Sequence, residues 1–332
     1  MVRIFRYAGF GKETTFGTPV TSTFFIAPNS ISMDAPSGAT LKVPSGMART
    51  NRKKKPGYYV PKGGLEYNPD FISLGWFYDW CLSGGYVFTA GSGGSPVLNT
   101  HEIYGDNTNV PDSFSLHTGK DVFEHSFTGT VLNGITMNVS NGLATASLDM
   151  LAQMDSRGPL KADADITTLV TGSNLSFDEA SCTINGTDQS AWVKSFQVAI
   201  TNNMNTDVGQ TIGSRFPRRF RSAGRNITFN IQLLFEDMDM FDLFWGDDEG
   251  PHVDGSSLFA LKPKFAIGDQ YIEYNMPQVE IDSIQTQPSG TDVLLQTISG
   301  SAYLAEDVVL KDTSTVDTDI LITIVNSQTT MA

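Results

Sequence analysis

Apolar and polar residues alternate with a period of two along most of this chain. Ile227, Phe229, Ile231, Leu233 and Phe235 alternate with Asn226, Thr228, Asn230 and Gln232, the pattern of a strand with one face buried and the other in water. Phe196, Val198 and Ile200 predict a second such strand. Ile135, Met137 and Val139 lead through Asn141-Gly142 to Ala144, Ala146, Leu148 and Met150. Asn-Gly between alternating runs predicts a tight hairpin, because a type I′ turn needs positive φ at both central residues. Helical periodicity is confined to two stretches. Pro69–Leu82 sets Phe71, Leu74, Tyr78 and Leu82 along one stripe and ends at Gly84-Gly85. Glu236–Trp245 begins with acids, which favour a helix N-terminus, carries Met238, Phe241 and Trp245 on its stripe, and ends at Gly246.

The elements recur in order. A strand at Ile31 and Met33 is followed by a long basic loop, a strand at Leu65 and Tyr67, a helix, the Gly/Ser-rich stretch at Thr89–Ser95 and the hairpin over 126–152. The second half repeats this. A strand over 193–202 precedes a basic loop (203–225), a strand (226–235), a helix (236–245), a Gly/acidic stretch and a hairpin around Pro288-Ser289-Gly290. The pattern predicts a mainly β chain of two tandem modules, each with one flanking α-helix and a long loop. Module one is placed at 1–160 with an N-terminal arm. Module two is placed at 161–332 with a C-terminal strand. The boundary falls near 155–190, where Asp155-Ser156-Arg157-Gly158-Pro159 breaks the hairpin.

Charge sharpens the picture. The 332 residues carry a formal charge of −14, and charged residues make up 17%, against roughly 25% in an average domain. Arg49, Arg52, Lys53, Lys54, Lys55 and Lys62 form one basic run. Arg215, Arg218, Arg219, Arg221 and Arg225 form another, and neither contains an acid. These runs hold half of the 22 cations, so the remainder of the chain, with 36 acids, is strongly acidic. Both runs fall in the long loop of a module. Long loops are either functional or solvated, so docking onto an acidic neighbour stands beside a solvated charge run. An acidic body with concentrated basic segments suits self-association. Net acidity argues against general affinity for nucleic acid.

Several stretches are similar to the siphophage major tail protein, or phage tail tube protein, family. They are Gly11-Lys12-Glu13-Thr14-Thr15-Phe16-Gly17-Thr18-Pro19-Val20, then Phe127 through Val139 with the following Gly142 and alternating run, then Cys182-Thr183-Ile184-Asn185-Gly186-Thr187 and Val193 through Asn203. The resemblance runs along nearly the whole chain. It implies β-sandwich-like modules whose sheets join around a ring, and rings that stack into a hollow tube through which DNA passes without specific binding. It implies that each long loop reaches the adjacent ring. Six modules per ring would mean three chains of this kind, a pseudo-sixfold trimer. The implied partners are copies of the chain, a tape-measure protein, and tail-tip and terminator proteins. Localisation would be the virion tail, after synthesis in the host cytoplasm. Helix-borne Asp79, Glu236, Asp237, Asp239 and Asp242 are candidates for a lumen-facing surface.

No catalytic or cofactor chemistry is expected. His101, His117, His125 and His252 have no metal-ligand spacing. Asp237-Met-Asp-Met-Phe-Asp242 lacks the Gly and Glu of a calcium loop. Gly91-Ser-Gly-Gly94 is followed by no Gly-Lys-Ser/Thr, and there is no nucleophile elbow. Cys81 and Cys182 read as buried thiols. Neither a signal peptide nor an 18-residue apolar run is present, so membrane insertion is not expected. The sequons at Asn138, Asn174, Asn185 and Asn226 read as chance matches. A different class remains open: a tail-tip or surface adhesin, whose long loops and aromatics such as Tyr58 and Tyr59 would bind a receptor or glycan.

Overall fold

The computed structural model describes residues 5–329 apart from 37–39, 45–50, 94–95, 106–109, 163–164, 167–169, 171, 208, 247–249, 251–256 and 287–293. In the first half the elements are β1 (Phe5–Lys12), β2 (Phe24–Ile26), β3 (Ser30–Ile31), β4 (Thr40–Pro44), β5 (Asn51–Pro56), β6 (Lys62–Tyr67), α1 (Ser73–Leu82), β7 (Ser83–Thr89), β8 (Asn99–Gly105), β9 (Phe114–Lys120), β10 (Phe123–Val139), β11 (Thr145–Leu151) and β12 (Met154–Gly158). The second half holds β13 (Ala180–Ile184), β14 (Thr187–Asp188), β15 (Val193–Thr201), β16 (Met204–Asn205), β17 (Arg221–Ser222), β18 (Asn226–Leu234), α2 (Asp239–Trp245), β19 (Phe259–Ile267), β20 (Gln270–Thr286), β21 (Leu295–Ala302), β22 (Ala305–Val309), β23 (Thr315–Thr318) and β24 (Leu321–Asn326). The chain is mainly β, as the alternation predicts.

The strands of the largest sheet are all antiparallel to their neighbours and run β3-β6-β11-β10-β15-β18-β21-β20. The first four strands come from the first half and the last four from the second, in matching order. A further series pairs β2-β1-β9-β10-β12 in the first half and β14-β13-β19-β20-β24 in the second. β10 and β20, each 17 residues long, belong to both series. Each switches partners across one-residue register shifts, on β10 between Phe127 and Thr130 and between Leu132 and Gly134. Such bulges bend a strand and raise its twist, which lets one strand serve two sheets. The hairpin β7–β8 has no counterpart among the described residues of the second half. It extends the second series by pairing with β24.

One face of the long sheet is apolar. Ile135, Met137, Leu148, Phe196, Val198, Ile200, Ile227, Phe229, Ile231 and Ile298 are at most 3% exposed and join a single core drawn from both halves. The core surrounds α1. Phe10, Phe24, Phe77, Trp80 and Phe114 meet there, with ring centroids 4.9 Å apart for Phe10–Phe77 and for Trp80–Phe114. Tyr78 bonds Tyr274 on β20 at 3.0 Å. A one-sided stripe underestimates this helix, because eight of its ten residues are buried; a helix apolar all round is one enclosed by its domain. It also starts later than the periodicity suggests. The Asp70 carboxylate accepts from the N–H groups of Ile72 (2.7 Å) and Ser73 (2.9 Å) and caps the helix there. α2 likewise begins at Asp239 and ends on Gly246, which takes φ 76°.

Two local expectations differ from the fold. The Asn141-Gly142 connection is not a two-residue turn: the last paired residues are Asn138 and Thr145, and neither Asn141 nor Gly142 has positive φ. The type I′ conformation occurs instead at Asn185 (φ 48°) and Gly186 (φ 80°), between the paired residues Ile184 and Thr187. The first basic segment is also more ordered than a bare loop. β4 and β5 pair over Thr40–Pro44 and Asn51–Pro56 as a separate two-stranded ribbon.

Candidate assembly surface

The basic residues divide into a ribbon and a folded-back loop. Arg52, Lys53, Lys54 and Lys55 lie on β5, and Lys54 and Lys55 are exposed. Arg49 lies outside the described residues. The backbone register sets Lys42 opposite Lys54. A two-stranded ribbon is marginal in water by itself. Neither strand of the ribbon carries an acid in its sequence, which suits an acidic partner surface. Lys62, at the start of β6, is also exposed.

The second loop is closed at its base by β16 and β17, which pair Met204 with Ser222 and Asn205 with Arg221. It packs back on the root of the first segment. The Tyr59 N–H donates to the Arg215 carbonyl at 2.8 Å, and Arg215 Nε donates to the Gly57 carbonyl at 3.3 Å. The Arg215 guanidinium lies 5.2 Å from the Tyr59 ring centroid, within cation–π range. Gln153 Nε2 donates to the Pro217 carbonyl at 2.8 Å. Below, Val131, Leu151, Met204 and Phe220 form a small separate core with Phe16 and Val60. The fold thus brings the two basic segments, far apart in sequence, to one region.

Their cations do not share one environment. Lys54, Lys55, Lys62, Arg218, Arg219 and Arg221 are exposed and have no carboxylate partner among the described residues. Arg225 is different: its Nε and Nη2 reach the two carboxylate oxygens of Asp319 at 3.0 and 2.8 Å, and the two side chains are only 9% and 14% exposed. It ties the loop's end to the segment before β24.

Near the root, Asp155 accepts from the Tyr59 hydroxyl and bonds His125 Nε2 at 2.7 Å. Burial, reinforced by the Asp155 bond, pushes the Tyr59 hydroxyl up to about 12. Glu124 receives the Tyr7 hydroxyl at 2.7 Å and sits 3.2 Å from His117 Nδ1. Burial opposes its ionisation, but these hydrogen bonds outweigh burial and hold its carboxyl below the usual range. His117 and His125 are thus each held by a carboxylate. Among the described residues no group of three or more His, Cys, Asp or Glu is arranged to hold a metal. Cys81 and Cys182 are free and buried.

The candidate lumen acids are also divided. Asp79 lies 3.2 Å from Lys12, which Asp112 also contacts at 2.9 Å. Burial raises its carboxyl, with Lys12 opposing. Glu236, Asp237 and Asp239 are exposed beside or on α2, and Asp242 is half-buried. Sequence reasoning passed over another acidic surface, the solvent face of the long sheet. There Ser30, Glu66, Ser147, Thr136, Ala199, Thr228, Ser301 and Glu280 form one cross-strand row from β3 to β20. The row has two carboxylates and no cation. Its signal was in the chain, in the polar positions that alternate with the core residues.

A sequence profile described as phage tail tube protein matches residues 6–302, nearly the whole chain. The chain belongs to the phage tail tube protein family. This is a family of structural proteins of the virion tail that assemble from many subunits into a tube. No individually curated protein matches the chain. No helix among the described residues is long and apolar enough to cross a membrane.

Proposed function

We propose that this chain closes into rings that stack into the hollow tail tube, and that the tube delivers phage DNA to the host. The observation that carries the reading is the repeated pairing order. Seven antiparallel pairings of the first half (β1–β2, β1–β9, β9–β10, β10–β11, β10–β12, β3–β6, β6–β11) have counterparts in the second. We read this as two tail-tube modules in one chain, so that three chains supply the six modules of a pseudo-sixfold ring. The chain acts as a scaffold without catalysis, and its other partners are the tape-measure, tail-tip and terminator proteins.

Electrostatics supports the arrangement. Lys and Arg arrays hold DNA by releasing its counterions, so a channel for DNA should lack them. We assign the polar, acidic face of the long sheet to the lumen and the cations of the β4–β5 ribbon and the 203–225 loop to contacts between rings. Exposed Glu236, Asp237 and Asp239 remain secondary lumen candidates. Asp79, held by Lys12, and half-buried Asp242 are poorer ones. Stacking is then the open-ended contact that builds a filament, while ring closure limits lateral growth.

Concentrating the purified protein tests this by negative-stain electron microscopy. Hollow rods, or an equivalent tube in virions, are expected. Monodisperse monomer at every salt concentration, with no rods in virions, contradicts it.

A further inference from the structure

The ring reading leaves open which strands meet between chains. Within the chain, β10 pairs with β15 through Ile135 opposite Ile200 and Met137 opposite Val198. This contact joins the two halves. Among the described residues it is the one pairing between two strands of the repeated four-strand order that has no second copy inside the chain.

Both long strands show where that copy belongs. β20 takes the place of β10: it pairs with β19 as β10 does with β9, and with β21 and β24 as β10 does with β11 and β12. Its register shifts fall between Met276 and Val279 and between Ile281 and Ser283. They match the shifts on β10 and set the bulged Asp282 in the place of Asn133. β3 takes the place of β15, because it lies on β6 as β15 lies on β18. An Asp34–Lys62 bridge carries its extended run further.

Both counterpart edges are open. Beyond Ser283, β20 has β21 on one side and no strand on the other among the described residues. β3 has β6 on one side and no strand on the other among the described residues. Ile135 and Ile200 are each 1% exposed, whereas their counterparts Ile284 and Ala35 are half-buried and exposed. The Thr286 hydroxyl is buried and has no hydrogen-bond partner among the described residues. An open strand edge templates another strand.

We propose that β20 of one chain pairs antiparallel with the β3 edge of the next copy, with Ile284 opposite Ala35 and Thr286 opposite Met33. The partner is therefore a second copy of this chain. The joint repeats the β10–β15 contact, so joints within and between chains alternate around the ring. This rests on the ring reading and adds the strands and register.

The direct test is the double variant Ala35→Cys/Ile284→Cys, assembled and then oxidised. Opposed cysteines in antiparallel strands come within disulfide reach, and Cys81 and Cys182 are buried. Non-reducing electrophoresis is expected to show a covalent ladder ending at one ring. Each single variant, and the pair Ala35→Cys/Gln285→Cys shifted by one residue, should cross-link at least about tenfold less. Wild-type tubes supply a second readout if the variants do not assemble: amides of 30–35 and 283–286 should exchange at least about tenfold more slowly than in the monomer. Tubes that form without the cross-link, or with both segments unprotected, overturn the pairing and leave the tube reading intact. Wild-type protein that forms no tubes, alone or in virions, overturns both.

Discussion

Arg225 shows how a residue's neighbours in space outweigh its neighbours in sequence. It closes a basic run, and composition groups it with Arg215–Arg221. Its partner Asp319 is 94 residues away, beyond any local pattern. With both side chains largely buried, removing one leaves the other uncompensated. Arg225→Ala is expected to destabilise the folded chain by about 3 kcal/mol, whereas Arg218→Ala or Arg219→Ala should change stability by less than about 0.5 kcal/mol. Denaturant unfolding of the unassembled protein measures both. His101 gives a pH signature. It is fully buried and bonded to Asn326 and Gln328, each at 3.1 Å. Burial lowers its proton affinity below the ordinary 6.5, against those hydrogen bonds. Below pH 6.5 the unfolded chain binds a proton that the folded chain refuses, so this residue's contribution to stability falls as pH drops. Melting between pH 7 and pH 5 should show a decline in Tm that His101→Gln reduces; an unchanged slope in the variant would sink this assignment.

At the level of elements, the long strands were legible because burial on one face imposes period two on the sequence. The helices were legible in kind but not in extent, since their starts depend on the Asp70 cap and on Asp237, whose carboxylate accepts from the Asp239 N–H at 3.2 Å. Asn-Gly located a tight turn at only one of its three occurrences, because Asn133-Gly134 falls at the bulge inside β10 and Asn141-Gly142 lies in a longer connection where Leu143 bridges to Ser176. Gly186→Ala should cost about 1 kcal/mol in unfolding free energy, because its φ is left-handed; Gly142→Ala should cost clearly less. The ribbon's pairing was not legible, because Lys-rich strands lack the apolar alternation that marks a strand. The docking role proposed for it predicts that replacing Arg52, Lys53, Lys54 and Lys55 by Glu leaves the far-ultraviolet circular dichroism unchanged while rod formation drops at least about tenfold. Normal polymerisation of that variant would remove the ribbon from the ring-to-ring contact.

The whole molecule is organised by an eight-stranded sheet in which a four-strand order occurs twice. That order showed in the sequence as a recurrence of strand, basic loop, strand, helix and hairpin, even though residue identity between the halves is low. Paired backbone tolerates changed side chains as long as polarity alternates, so topology outlasts identity. The sequence could not reveal which edges remain open, because an edge is defined by a partner's absence in three dimensions. It also left the sheet's acidic face unrecognised, because that row is assembled from eight separate strands. We propose that one chain supplies two modules of a six-module ring. Cryo-electron microscopy of the rods, viewed in cross-section and with mass per ring determined, tests it most directly. The account predicts a hollow ring of pseudo-sixfold outline built from three chains; six chains per ring, or a solid filament, would contradict it.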